Sequence, residues 1–178
     1  MHRIVHLERN SIIAQLRRPD FPHHWVEHAQ TVQAQVGKRL AGATITIVNK
    51  LRIDAELIAT LPALQMVAVA ATGTNNVDLD ACRARGIAVS NIRGYAVRTV
   101  PEHVFALLLA LSRNLPAYRQ AVAAGKWQAA QQFCCFDYPI RDLHGATLSL
   151  LGSGSLGNGV ARLASAFGMH VLRSERKD

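Results

Sequence analysis

A short glycine-rich stretch near the C-terminal end of the sequence has the residue types and spacing to hold a phosphate group. Its candidate residues are Gly152, Gly154, Ser155, Leu156 and Gly157. In a G-x-G-x-x-G turn the first glycine permits a tight bend, the second lets the backbone approach a pyrophosphate, and the third lets the following helix pack closely. The N-terminus of that helix adds unpaired N–H groups and partial positive charge. The stretch therefore predicts a dinucleotide-binding site.

The sequence around this turn contains the strand, helix and second strand that such a site requires. The apolar run 146–151 predicts a buried strand, and apolar residues recur at helical spacing over 155–167. A second strand is predicted over 168–172, with Gly168 ending the helix. This context favours a dinucleotide site over the alternative, which is a plain strand-to-helix turn.

An acidic residue near the end of the chain bears on the choice of dinucleotide. Glu175 lies 23 residues after Gly152, where a carboxylate would accept hydrogen bonds from the adenosine ribose and repel the 2′-phosphate of NADP. NAD is therefore the predicted cofactor. Arg176 and Lys177 leave the alternative open, because their positive charge would tolerate a phosphate.

Composition and charge narrow the classes of function. The chain has 178 residues, of which 49% are hydrophobic and 18% charged, so a buried core is expected rather than disorder. The net charge is +8, but the basic residues are scattered, aromatic residues make up 6%, and no nucleic-acid-binding motif occurs. We interpret the charge as mostly solvated surface and predict no nucleic-acid partner.

The N-terminus and the cysteines predict a soluble cytoplasmic protein without a bound metal. Charged residues occupy the N-terminus, where a secretory signal needs an apolar run, and no apolar stretch is long enough to span a membrane. Cys82, Cys134 and Cys135 make an odd count without metal-ligand spacing. Oxidation or soft-metal binding by the adjacent pair is the alternative to reduced cysteines that serve in packing.

The N-terminal half alternates strand-like and helix-like segments, which is typical of a parallel sheet covered by helices. Strands are predicted at 4–7, 44–48, 66–70 and 87–90. Helices are predicted at 24–30, behind Pro22, and at 54–59, where Asp54 is the expected N-cap. The polar, glycine-containing segment 90–95 then predicts a hinge.

A leucine-rich helix is predicted after this hinge. Thr99 and Glu102 have the spacing of a capping box, in which Thr99 is the N-cap. Helix 100–111 is apolar on almost all sides, so we expect it to be buried on every side, between domains or at an oligomer interface. A second helix is predicted over 117–124 and an ordered loop over 131–140.

Three stretches together resemble the D-isomer-specific 2-hydroxyacid dehydrogenase family, and within it the glycerate dehydrogenases (hydroxypyruvate reductases). The stretches are 70–91, which begins Ala-Ala-Thr-Gly-Thr-Asn-Asn-Val-Asp, then 94–114, and finally 143–169, which contains the glycine turn. They run across nearly the whole chain, and their combination is specific, whereas the glycine turn alone is not.

The resemblance implies a fold and an activity. The expected fold class is α/β, with a flavodoxin-like substrate domain over 1–93 and the first part of a Rossmann NAD-binding domain, truncated at its C-terminus, over 94–178. The family reduces small 2-keto acids to D-2-hydroxy acids by hydride transfer from NADH. A substrate of the glycerate or hydroxypyruvate type is implied, and so is a homodimer formed through the Rossmann domain and helix 100–111.

The resemblance also assigns roles to particular residues. Thr72, Gly73 and Thr74 match the loop whose backbone N–H groups meet the substrate carboxylate, for which an ordinary glycine turn is the alternative. Thr99 matches a position near the nicotinamide. The family's catalytic arginine and its glutamate–histidine pair match positions beyond residue 178, so the chain is expected to be inactive alone.

The rival hypothesis is a non-catalytic binding or scaffold protein with the same fold. The family's corepressor relatives recruit protein partners in an NAD-linked way, and a +8 chain without the catalytic half would suit such a scaffold. No peptide-docking addition is evident in the N-terminal half, which favours the enzyme hypothesis. A remnant with no function of its own is the third alternative.

Overall fold

The computed structural model describes residues 1–174, and the chain divides into two compact units. The first unit ends at Gly94 and the second begins at Tyr95. Gly94 has a φ of +77°, a left-handed conformation that favours glycine. The boundary therefore lies at a sharp backbone turn within the polar segment 90–95.

The first unit is a five-stranded parallel sheet with helices between its strands. Its strands are β1 (His2–His6), β2 (His23–Glu27), β3 (Ile45–Val48), β4 (Met66–Val69) and β5 (Ala88–Asn91). Its helices are α1 (Val36–Leu40), α2 (Ala55–Ala59) and α3 (Leu79–Ala84). All neighbouring strands are parallel, in the order β2-β1-β3-β4-β5. This is the strand order of flavodoxin-like folds, so the predicted α/β class is confirmed.

Apolar side chains from the strands and from the helices form one core in this unit. Its fully buried members include Val5, Val36, Leu40, Val48, Ile58 and Val67. Aspartates begin two of the helices: Asp54 accepts a hydrogen bond from Leu57 N at 3.0 Å, and Asp78 accepts one from Ala81 N at 2.9 Å. The predicted N-cap at Asp54 is confirmed.

The predicted helix at 24–30 is wrong, because this segment forms strand β2. It pairs in parallel with β1, from His2 opposite His23 to His6 opposite Glu27. The long-range backbone hydrogen bonds of this pairing outweigh the weak helical periodicity of the segment. Pro22 precedes the first strand residue, a position that costs no ladder hydrogen bond.

His6 is a fully buried histidine whose two ring nitrogens have no hydrogen-bond partner among the described residues. Its burial lowers the pKa below the ordinary value of 6.5; the carboxylate of Glu27 opposes this, and the guanidinium of Arg9 adds to it. The folded chain therefore holds His6 in its neutral form near neutral pH.

We expect acid to destabilise the first unit through His6. The unfolded chain binds this proton at pH near 6.5 and the folded chain does so only at lower pH. The contribution of neutral His6 to the free energy of unfolding is thus fully present above about pH 6.5. It decreases as the pH is lowered below that value, by up to about 1.4 kcal/mol per pH unit. Urea unfolding, followed by Trp25 fluorescence in a Trp127→Phe background, measures this dependence.

The variant His6→Leu should have a smaller dependence of unfolding free energy on pH than the wild type. His24 is exposed, so His24→Leu is the matched control and should keep the wild-type dependence. Equal slopes in the wild type and in His6→Leu would contradict the role assigned to the buried imidazole.

The second unit consists of helices and one parallel strand pair. Its elements are α4 (Ala96–Ser112), α5 (Leu115–Ala123), α6 (Lys126–Ala129), β6 (Thr147–Leu151), α7 (Ser155–Ala166) and β7 (His170–Ser174). Strands β6 and β7 pair in parallel, with Thr147 opposite His170, and α7 connects them. Phe105 of α4 stacks on Phe167 with ring centroids 5.1 Å apart. The predicted strand–turn–helix–strand order is therefore present.

The start of α4 differs from the prediction. The helix begins at Ala96, so Thr99 lies inside it and the predicted capping box is wrong. The Thr99 hydroxyl donates to the Tyr95 carbonyl oxygen at 3.4 Å, as helix-interior threonines do. The left-handed turn at Gly94 lets the helix begin earlier, and Pro101 is accommodated inside it.

Within the single described chain, α4 is buried on one side, whereas the sequence predicts burial on every side, between domains or at an oligomer interface. Pro101 and Phe105 are its buried residues in the described chain, whereas Leu107 and Leu111 are 52% and 71% exposed. One side of α4 packs against α7. An all-round apolar sequence does not determine how many neighbours a helix receives within one chain, and burial of the other sides at an oligomer interface stays a prediction. Among the described residues, no helix is both long and apolar enough to cross a bilayer.

Candidate functional site

The glycine turn between β6 and α7 is the first candidate site. Gly152 has a φ of +100°, which side-chain-bearing residues rarely adopt, and so it makes the tight bend after β6. Gly154 precedes α7 in an extended conformation. A Cβ atom on Gly157 would lie 2.7 Å from the Gly152 carbonyl oxygen. The first turn of α7 therefore approaches the bend at a distance that requires glycine at position 157.

This turn presents backbone donors to solvent. Residues 152–156 are exposed, and no side chain of residues 1–174 caps the N-terminus of α7. The first N–H groups of a helix have no partner within it, so those of Ser155, Leu156 and Gly157 can bind an anion. A Cβ atom on Gly154 would meet no atom of the described residues within 4 Å, so among them the space through which a phosphate would approach is open. The residues present therefore fit a dinucleotide pyrophosphate.

Arg173 is a residue beside the turn that the glycine pattern does not indicate. Its Nη1 donates to Asn158 Oδ1 at 2.6 Å, and Asn158 Nδ2 donates to the Ser153 carbonyl oxygen at 3.1 Å. These bonds link β7 to the first turn of α7 and bring a positive charge near it. Glu175, the predicted ribose partner, lies outside the described residues.

The loop after β4 is the second candidate site. The Thr72 carbonyl accepts a hydrogen bond from Asn91 Nδ2 at 2.7 Å, and the Thr74 carbonyl accepts one from Val77 N at 3.0 Å. No hydrogen bond of the described chain uses the N–H groups of Thr72, Gly73 or Thr74. The carbonyls of this loop are thus anchored while its donors remain available, an arrangement that can hold a carboxylate.

A neighbouring loop, residues 49–51 after β3, is fixed by contacts that the sequence pattern does not reveal. The Glu8 carboxylate accepts from the N–H groups of Asn49 at 2.7 Å and Lys50 at 3.0 Å. Asn76 Nδ2 donates to the Leu51 carbonyl oxygen at 2.9 Å. A carboxylate of the chain itself thus occupies the N–H groups at the topological switch point between β1 and β3, where flavodoxin-like sheets bind ligands.

The structure places the predicted site residues in two groups. Thr72, Gly73 and Thr74 lie in the first unit, whereas Thr99 and the glycine turn lie in the second. Thr99 is exposed on α4, two residues before Pro101, and Pro101 lies against Gly159 of α7. Thr99 and the glycine turn therefore belong to one packed pair of helices.

Solved structures share this fold. The TT0316 protein from Thermus thermophilus matches with a TM-score of 0.80 at 28% identity, over 99% of this chain and 57% of that one. The D-lactate dehydrogenase of Escherichia coli matches with a TM-score of 0.70 at 19% identity, over 100% of this chain and 56% of that one. At that identity the second likeness shows the α/β fold alone.

Sequence comparison then identifies the family. The family model described as D-isomer specific 2-hydroxyacid dehydrogenase, catalytic domain, matches residues 4–166. The glycerate dehydrogenase of Methylorubrum extorquens is 46% identical over 171 residues, which are 96% of this chain and 54% of that protein. The hydroxypyruvate reductase of Blautia hydrogenotrophica is 34% identical over 142 residues, which are 80% of this chain and 44% of that protein.

The chain belongs to the D-isomer specific 2-hydroxyacid dehydrogenase family. The resemblance predicted from the three stretches is thereby confirmed. The chain spans about half the length of the curated relatives it matches.

Proposed function

We propose that this chain serves as the substrate-domain and first cofactor-binding portion of an NAD-dependent D-2-hydroxyacid dehydrogenase. Its substrates are a small 2-keto acid of the hydroxypyruvate type and the corresponding D-2-hydroxy acid, glycerate. The observation that carries the proposal is the open glycine turn at Gly152–Gly157, with donors and free space where a pyrophosphate would lie, in a chain of this family. Two relatives named for these substrates support the choice of acid.

The cofactor is held by the second unit. The N–H groups of Ser155, Leu156 and Gly157 bind the pyrophosphate at the N-terminus of α7. Glu175 binds the adenosine ribose and selects NAD, and Thr99 lies near the nicotinamide. When bound, the nicotinamide supplies or accepts the hydride.

The substrate anion is held by the first unit. The N–H groups of Thr72, Gly73 and Thr74, which have no partner among the described residues, bind its carboxylate, because the glycine at the centre of the loop has no side chain to block the anion. Loop 49–51 leaves β3, the neighbour of β4, and carries the exposed Lys50 at the same edge of the sheet. The Lys50 ammonium attracts the anion to this edge.

The protein forms a homodimer through the second unit. Leu107, Leu111 and Leu115 are each more than half exposed around the end of α4 and the start of α5. Exposed leucines this close together are typical of a protein–protein interface rather than of a solvated surface. This exposure supports the dimer that the family resemblance implies.

The 178-residue polypeptide is expected to bind NADH without reducing hydroxypyruvate. The resemblance assigns the catalytic arginine and the glutamate–histidine pair to positions outside the sequence. Arg98, Glu102 and His103, which are ionisable residues near Thr99, are all exposed on the first turns of α4, and we assign none of them a catalytic role. The loss of NADH absorbance in the presence of hydroxypyruvate measures turnover, and the expected rate equals the rate without protein.

A chimera provides the matched positive control. This chain would replace the corresponding portion of the Methylorubrum extorquens glycerate dehydrogenase, which is 46% identical. The chimera should reduce hydroxypyruvate, because the rest of that enzyme completes the site. Turnover by the short polypeptide would contradict the assignment of catalytic groups. A folded chimera that binds NADH without turnover would favour the non-catalytic scaffold.

A further inference from the structure

A concave site on the first unit, here called the basic groove, lies between α1 and the edge strand β2 and is separate from the candidate substrate loop. Its volume is about 390 Å³. It is lined by Arg3, Val26, His28, Gln35, Lys38 and Arg39. None of these residues belongs to the substrate loop, to loop 49–51 or to the glycine turn.

The charge of the basic groove is not compensated within the described chain. Some basic residues outside the groove, such as Arg9, Arg52 and Arg83, have a carboxylate within 4.0 Å. No such ion pair of the described residues involves Arg3, Lys38 or Arg39. No carboxylate from the part of the chain that the structure describes lines the groove. Like charges are thus gathered in one concavity, which focuses a positive potential.

The two guanidinium groups are held in place by neutral oxygen atoms. Arg39 Nη1 donates to the Gln30 carbonyl oxygen and to Thr31 Oγ1, both at 2.5 Å. Arg3 Nη1 donates to the Ala41 carbonyl oxygen at 3.3 Å. These bonds fix each guanidinium without neutralising it, and they leave its other N–H groups available. Both arginines are half-buried, unlike long side chains that extend into solvent.

The pKa of His28 reflects both its burial and the positive charges around the groove. Burial lowers its pKa below the ordinary value of 6.5, and the charges of Arg39 and Arg3 lower it further. The charged groups lining the groove with it are Arg3 from β1, and Lys38 and Arg39 from α1; all three are cationic. The groove therefore disfavours another positive charge, as an anion-binding site does.

We propose that the basic groove binds a small anion that carries two or more phosphate groups. Guanidinium groups form paired hydrogen bonds with phosphate oxygens, and an ammonium adds a point charge. A concavity of about 390 Å³ with cations on two sides accommodates more than a single phosphate. The groove is lined by none of the residues of the candidate substrate loop or of the glycine turn, so its occupant is a ligand other than those proposed for these two sites.

Titration of the polypeptide with inorganic pyrophosphate at about 0.15 M salt tests the proposal, with amide and histidine NMR signals as the readout. Saturable shifts should appear at Arg3, His28 and Lys38, and pyrophosphate should raise the pKa of His28. The glycine turn can also bind pyrophosphate, but its shifts appear at residues 152–157 and are thereby distinguished. An absence of saturable shifts in the groove at millimolar pyrophosphate would overturn the proposal.

Charge-matched variants complete the experiment. Lys38→Glu should weaken binding in the groove by about tenfold, because it removes one charge-assisted contact and adds repulsion. Arg119→Glu changes the net charge equally at an exposed position of α5 in the other unit and should leave binding unchanged. Equal weakening by both variants would show non-specific attraction to a basic chain and would overturn the proposal. Amide spectra of each variant establish that it remains folded.

Discussion

Replacing Gly154 by alanine is expected to lower the affinity for NADH by about 10- to 100-fold, which is the loss that follows when one or two hydrogen bonds to a charged group are removed. The physical reason is steric exclusion of the ligand rather than damage to the protein. A Cβ atom at this position meets nothing within 4 Å, and the backbone there is extended, which any residue adopts. The methyl group would instead occupy the space through which the pyrophosphate approaches. Thermal unfolding should therefore remain at the wild-type midpoint.

Gly157→Ala is the matched contrast. Its Cβ atom would lie 2.7 Å from the Gly152 carbonyl oxygen, a backbone atom that cannot move aside without opening the turn. This variant should lose affinity for NADH and also about 1–3 kcal/mol of stability. Isothermal titration with NADH and NADPH, together with thermal unfolding, measures both quantities.

These measurements distinguish an error in the proposed cofactor site from an error in the choice of NAD over NADP. Wild-type affinity in Gly154→Ala would mean that the turn does not hold the pyrophosphate, and the proposed cofactor site would be wrong. Tighter binding of NADPH than of NADH by the wild type would leave the turn intact and remove the role given to Glu175.

Replacing Gly159 by alanine is expected to destabilise the second unit by about 1–3 kcal/mol, the range for overpacking a close contact. Gly159 is buried in α7, and a Cβ atom there would lie 2.7 Å from Pro101 Cγ and 2.9 Å from the Val97 carbonyl oxygen. Alanine improves helix propensity over glycine by about 1 kcal/mol, which offsets part of this cost. Chemical unfolding followed by Trp127 fluorescence, in a Trp25→Phe background, measures the effect.

The proline explains why the two helices approach so closely. Pro101 has no N–H group to donate to the Val97 carbonyl, so this carbonyl lacks its usual intrahelical partner and faces the backbone of Gly159. Pro101→Ala should therefore rescue part of the stability lost in Gly159→Ala, and the two effects should not add. Ser165→Ala, at an exposed position of α7, is the control and should change stability little. A Gly159→Ala variant as stable as the wild type would contradict the contact.

Features encoded within a few adjacent residues could be predicted well. The glycine turn, the strand before it and the helix after it follow from spacing and apolar periodicity alone. The N-cap at Asp54 likewise depends on a bond to Leu57, three residues away. The family resemblance added the expectation of a flavodoxin-like sheet, and the strand order bears it out.

Features that depend on distant partners could not be predicted. Segment 23–27 becomes a strand because β1 pairs with it, and its own periodicity does not show this. The interior position of Thr99 depends on the turn at Gly94, and the exposure of Leu107 and Leu111 depends on how many elements cover α4. Glu8 fixes loop 49–51 across 41 to 43 residues of sequence, which no local pattern reveals.

The sequence by itself determined the family and the glycine turn, because such a turn is built from backbone conformations that nearby glycines control. The tertiary structure alone decided which donors remain unpaired, which cations lack a carboxylate and which apolar faces stay exposed. Hydrogen bonds, charges and burial are properties of groups brought together by folding, and their energies depend on separations in space rather than along the chain.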